Sequence, residues 1–128
     1  MPWFVKLEEG VVDKARFDAA IPAHLAWLRE LDAAGHQPMS GYWADRKGCN
    51  GHGAGGMLIF QAASMVEADA LIRHDPLIQL GCVRWTLHQW QPVFTGTSAL
   101  GMGKEPVIRN GTEAPDRSSA DGIPAPPG

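Results

Sequence analysis

An α+β fold on one four-stranded antiparallel sheet, in the order strand, helix, strand, strand, helix, strand, is what this sequence predicts, and three observations carry the prediction. Residues Pro2 to Glu8 alternate Trp3, Val5 and Leu7 against Phe4, Lys6 and Glu8, the period of two of a strand. Between Asp13 and Ala34 the apolar residues Phe17, Ile21, Leu25, Leu28 and Leu31 recur at helical spacing. After residue 56 the theme repeats, with an apolar strand, a helix-start signal and a second alternating strand.

In order, Glu9-Gly10 ends the first strand and Asp13 is the expected N-cap of the first helix, which Gly35 stops. Pro22 lies inside that helix and removes one backbone donor, which predicts either a kink or a short turn ahead of a helix that starts at Pro22. Gln37 to Trp43 reads as the second strand, and Ala44 to Gly56 as a glycine-rich loop. The loop formally contains G-x-G-x-x-G from Gly51 to Gly56, but the next element is a strand, so no helix N-terminus is there to receive a pyrophosphate. Cys49 and His52 have the spacing of half a metal site, and no second pair completes four ligands, so no metal is expected. Met57 to Ala62 is a third strand, continuously apolar and therefore central. Ser64-Met65-Val66-Glu67 is a capping box opening a second helix, which Pro76 ends at Asp75. Leu77 to Leu80 make one turn closed by Gly81, and Cys82 to Trp90 form the last strand.

This order is the ferredoxin-like βαββαβ arrangement, with two right-handed crossovers placing both helices on one face of the sheet. The other face is expected to carry Phe4, Tyr42 and Trp90 among Lys6, Ser40, Arg84 and His88, which is too apolar for water. A second copy is the simplest cover, which predicts a homodimer through the sheet faces.

With 128 residues the chain holds one domain. All five tryptophans and the single tyrosine precede residue 95, and half of the ten prolines follow it. Residues 1–94 are therefore expected to fold, and 95–128 to form a disordered tail rich in Pro, Gly and Ser. A formal charge of −3 with no basic block disfavours nucleic acid and membrane surfaces. Cys49 and Cys82 do not form a disulfide framework, and no signal or spanning segment is read, so the cytoplasm is the expected compartment.

The residue that stands out chemically is His24, placed at the edge of the apolar stripe beside Pro22. An imidazole shielded on one side and facing a cleft on the other has a tunable protonation state. Pro22-Ala23-His24-Leu25, Ser40-Gly41, Asp75-Pro76-Leu77 and Gly81 together resemble the YciI-related family of small dimeric α+β barrel proteins, over residues 1–94. The sequence departs from the family pattern at Ile21, where an arginine is common, at Tyr42, where a proline is common, and in the enlarged glycine-rich loop. The resemblance implies His24 and Asp75 as a catalytic pair in a cleft between helices and sheet, with Ser40 nearby; Tyr42 and Arg84 complete the expected substrate-binding set. It further implies no cofactor and a small-molecule ligand. The activities it brings are acid-base ones on small cyclic or aromatic compounds, such as elimination of hydrogen chloride from a chlorinated hydroxyhydroquinone, or isomerisation. In that chemistry Asp75 would orient His24, whose other nitrogen would take the proton. The alternative is a non-catalytic metabolite-binding or interaction module.

Overall fold

The computed structural model describes residues 1–45 and 54–97. Seven elements follow one another: β1 (Trp3–Gly10), α1 (Lys14–Ala33), β2 (Met39–Tyr42), β3 (Gly55–Gln61), α2 (Met65–Ile72), α3 (Pro76–Gln79) and β4 (Val83–Trp90). The strands form one antiparallel sheet in the order β2-β3-β1-β4, so the expected ferredoxin-like α+β fold is the one observed. Its contacts delimit a first unit that, among the described residues, is Met1–Gln91, and a second that begins at Pro92. Residues 92–97 of the second are neither helix nor strand. The rest of the expected tail, and most of the glycine-rich loop with Cys49 and His52, lie outside the described residues.

Local signals in the sequence account for the element ends. The Asp13 side chain accepts a hydrogen bond from the Arg16 N–H at 2.9 Å and starts α1. Ser64 Oγ accepts from the Glu67 N–H at 3.1 Å while the Glu67 carboxylate accepts from the Ala63 N–H at 2.6 Å, the reciprocal pairing of a capping box shifted by one residue. Gly35 and Gly81, at φ +91° and +70°, make the left-handed turns that end α1 and α3. Pro22 neither starts nor ends α1, which runs through it as a single helix of 20 residues.

Two expectations change in register. The buried stripe of α1 is Ala20, His24, Trp27 and Leu31, with Phe17, Ile21 and Leu28 only half-buried beside it. Burying the large indole of Trp27 rotates the stripe, so His24 stands in its middle and not at its edge. On the sheet, cross-strand partners share a face, and Ser40, Leu58, Lys6 and Leu87 form one row while Tyr42, Gly56, Glu8 and Trp85 form the next. The burial of Phe4, Lys6, Leu58 and Phe60 places these rows under the helices. Phe4, Lys6, Ser40 and Tyr42 thus belong to the helix side. The open side instead carries Trp3, Val5 and Leu7, with Met39, Met57, Ile59, Arg84, His88 and Trp90.

The interior contains two apolar clusters. One joins Phe4, Trp27, Leu31, Leu58, Phe60, Ala68 and Ile72; the other joins Ala20, Leu77, Cys82 and Val83. Along α1, His24 falls between Ala20 of one cluster and Trp27 of the other. Asp75 likewise falls between Ile72 and Leu77. The ionisable residues therefore meet at the seam between the two clusters.

Candidate functional site

Asp75 is fixed from three directions. It does not end a long second helix; α2 stops at Ile72, and Asp75 is the N-cap of α3 with Pro76 at the first helical position. Its Oδ1 accepts the Leu77 N–H at 2.9 Å and meets His24 Nδ1 at 2.8 Å, while Oδ2 accepts from Lys6 Nζ at 2.6 Å. Burial by itself would raise the Asp75 pKa. The hydrogen bond from His24 and the charge of Lys6 outweigh it and hold the carboxyl below its ordinary value. Asp75 is consequently an ionised, acceptor-only group.

That assignment determines the histidine tautomer. Facing a carboxylate that can only accept, Nδ1 of His24 must carry a hydrogen, and in the neutral ring Nε2 then holds the lone pair. Nε2 is buried and has no hydrogen-bond partner among the described residues. The Trp27 indole stacks beside the imidazole, with ring centroids 6.1 Å apart and planes 30° apart, and limits its rotation.

Lys6 completes the array and was not anticipated in it. Its side chain is 1 % exposed, and its ammonium contacts Asp75 Oδ2 at 2.6 Å and Glu8 Oε1 at 2.7 Å, the latter as an ion pair without hydrogen-bond alignment. The Nζ also stands 6.0 Å from the Trp27 ring centroid. Burial alone would lower the Lys6 pKa, but the charges of Glu8 and Asp75 and the hydrogen bond to Asp75 leave it raised. Sequence periodicity hid this residue, because Trp3, Val5 and Leu7 form the more apolar phase of β1 and would be expected inside. The available signal was a lysine and a glutamate in phase with Phe4 on the strand between β3 and β4.

The structure brings His24 and Asp75 together, and places Ser40 and Tyr42 on the same side of the sheet, in the rows of Lys6 and Glu8. Arg84 is elsewhere: it projects from the open side and pairs with Glu9. The expected open cleft is not seen among the described residues, since His24 is 2 % and Asp75 0 % exposed. Trp27, stacked beside the imidazole, and Leu77, whose N–H bonds Asp75, are themselves buried, one in each apolar cluster. Cys82 is also buried, and burial pushes its thiol up, against a nucleophilic role. Among the described residues no cluster of three or more His, Cys, Asp or Glu is placed to hold a metal ion, and no helix is long and apolar enough to cross a membrane.

Comparison with known proteins agrees with this architecture. A structure of 5-chloro-2-hydroxyhydroquinone dehydrochlorinase from Burkholderia phenoliruptrix, in complex with 2,5-dihydroxybenzoquinone, is similar with a TM-score of 0.51 and 22 % sequence identity. The match covers 70 % of this chain and 93 % of that one. At this identity the likeness establishes the fold and not the reaction. No curated protein sequence matches. The YCII-related domain matches residues 4–90, which is more than half of the chain and spans β1 to β4 except for Trp3. By that match, and in keeping with the motifs around His24 and Asp75, the chain belongs to the YCII-related domain family.

Proposed function

We propose that the protein is a cofactor-independent enzyme that moves a proton on a small cyclic or aromatic metabolite, with His24 as the acid-base group and Asp75 as its orienting partner. The observation that carries this reading is a buried imidazole whose Nδ1–H is committed to a carboxylate while Nε2 has no partner among the described residues. A ring held in that tautomer can accept a proton from an acidic hydroxyl, and the carboxylate stabilises the imidazolium that forms. The O–H bonding pair then becomes part of a carbonyl, and the displaced ring electrons take the proton back from Nε2 at carbon, which is isomerisation. Where that carbon bears chlorine and is now tetrahedral, loss of a second hydroxyl proton to Nε2 sends an electron pair back through the ring and expels chloride, a net loss of hydrogen chloride. A positioned base contributes on the order of a hundred to ten thousandfold, sufficient for a phenolic substrate that is already acidic. Hydroxylated quinols are the favoured class because the dehydrochlorinase of similar fold is bound to such a quinone. Because Nε2 is covered in the free protein, substrate entry must displace the side chains over it. Ser40 and Tyr42, in the rows of Lys6 and Glu8, are the proposed substrate contacts.

One observation favours a second reading, a metabolite-binding or interaction module without turnover: both members of the pair are shut off from solvent. Incubation with 5-chloro-2-hydroxyhydroquinone and analysis of chloride and products separates the two. The enzyme reading expects turnover that His24→Gln lowers by about 10²- to 10⁴-fold in a folded protein. Recovery of unchanged compound, or equal turnover in the variant, overturns it.

The open side of the sheet supports a homodimer. Leu7, Met39, Met57 and Trp90 are exposed there, next to Trp3, Val5 and Ile59, and a second copy of the same face would remove this apolar surface from water.

A further inference from the structure

We propose that Lys6, itself held by Glu8, is a positioning residue that sets where the proton resides on the His24–Asp75 pair. The proposal rests on the reading of His24 as the acid-base group and adds to it the two charges that tune that group.

Geometry supports it before any energetics. Lys6 and His24 occupy different oxygens of one carboxylate, at 2.6 and 2.8 Å, so each competes with the other for the charge of Asp75. The Trp27 indole lies beside both, which leaves no water layer on that side to screen them. The charges facing the ring come from Lys6 and Glu8 on β1 and from Asp75 at the head of α3. The un-ionised Cys82 thiol feels the charges of both Asp75 and Arg16 of α1, and Tyr42 of β2 shares the row of Glu8.

With a neutral imidazole the cluster holds one positive and two negative charges; with an imidazolium it is balanced. Lys6 opposes the added proton and Glu8 favours it. Two hydrogen bonds and a carboxylate separate Nζ from the ring, about 6 Å. At an effective dielectric near 20, a unit charge at that distance moves a protonation midpoint by about one to two pH units. Glu8 is one ion pair further away and has a smaller effect in the opposite direction.

The test is a ¹⁵N NMR titration of the His24 ring in the full chain, comparing Lys6→Met and Glu8→Gln with the parent protein. Lys6→Met is expected to raise the midpoint by about one to two pH units, and Glu8→Gln to lower it by about half a unit to one unit. If Lys6 only fills space, neither midpoint moves, and that result, or a shift of both in one direction, overturns the proposal. Should Lys6→Met not fold, the near-isosteric Glu8→Gln decides alone: a fall supports the proposal and no fall ends it. Failure here is distinct from failure of the acid-base reading, since inactive His24→Gln with unmoved midpoints removes only the role of Lys6. Active His24→Gln with shifted midpoints removes only the role of the histidine in turnover.

Discussion

Lys6 and Leu7 are neighbours on β1, yet Lys6 is 1 % exposed and Leu7 39 %. The two sides of the sheet thus reverse the usual sorting. Under the helices, β1 contributes Phe4, Lys6 and Glu8, and a cation is buried because two carboxylates and an indole surround it. On the open side the same strand contributes Trp3, Val5 and Leu7 beside Met57 and Ile59. A charge inside the fold and an apolar surface outside it are each costly in isolation. Under the proposed function, the covered side serves chemistry and the open side association.

The largest effect is expected where the covered side is broken. Asp75→Ala leaves Lys6 with Glu8 alone, deprives His24 of its orienting acceptor and uncaps α3, all in the interior. Removing one partner of a buried ion pair costs about 3–5 kcal/mol, measurable from the midpoint of urea unfolding. Adding Lys6→Met should restore part of that loss, because the uncompensated charge is then gone. The same carboxylate sets an acid limit. Its pKa is lower folded than the ordinary 3.8, so its contribution is complete above that value and disappears as pH falls through the lower folded one. Lys6 sets the alkaline counterpart, complete below 10.5 and lost as pH rises through its raised folded value. The acid limb below about pH 4 should be weaker in Asp75→Ala.

The same reversal explains how much could be read from the chain alone. The element order was legible because strand and helix periods, the Ser64 capping box and the Gly35 and Gly81 stops are local signals. Which phase of β1 faces inward was not, because both phases contain large apolar groups and periodicity alone cannot tell a helix cover from a partner cover. The phase of α1 failed for a related reason: counting Leu25 and omitting Trp27 turned the stripe away from His24. His24 and Asp75 were legible through the motifs that carry the family resemblance. Lys6 and Glu8 were not, since the contact of Lys6 with Asp75 spans 69 residues and depends on strand register.

A smaller effect on the fold, but a decisive one for the comparison, is expected from Leu7→Glu on the open side. The side chain is already part-exposed in the single chain, so unfolding measured at low concentration should change by less than about 1 kcal/mol. Sedimentation velocity should show the parent chain as a dimer and the variant as a monomer. A monomeric parent chain would remove the proposed role of this side.

The smallest effect should come from the ion pair on the open side. Arg84 and Glu9 are paired across β4 and β1, like Lys6 and Glu8 in charge type, but the Arg84 side chain is 63 % exposed. Water solvates the guanidinium before and after the pair forms, and holding a long side chain in one rotamer offsets much of the attraction. Arg84→Ala, made in the Leu7→Glu background so that association does not intervene, should change unfolding stability by at most about 0.5 kcal/mol. Salt should have little further influence, because a pair contributing so little has little left to screen. A loss comparable to that of Asp75→Ala would mean that the open side also depends on a specific charge pair, and the contrast between the two sides would fail. The expected near-silence of Arg84 against the sensitivity of Asp75 would instead locate the electrostatic demands of this fold at the seam where α1, α3 and β1 meet.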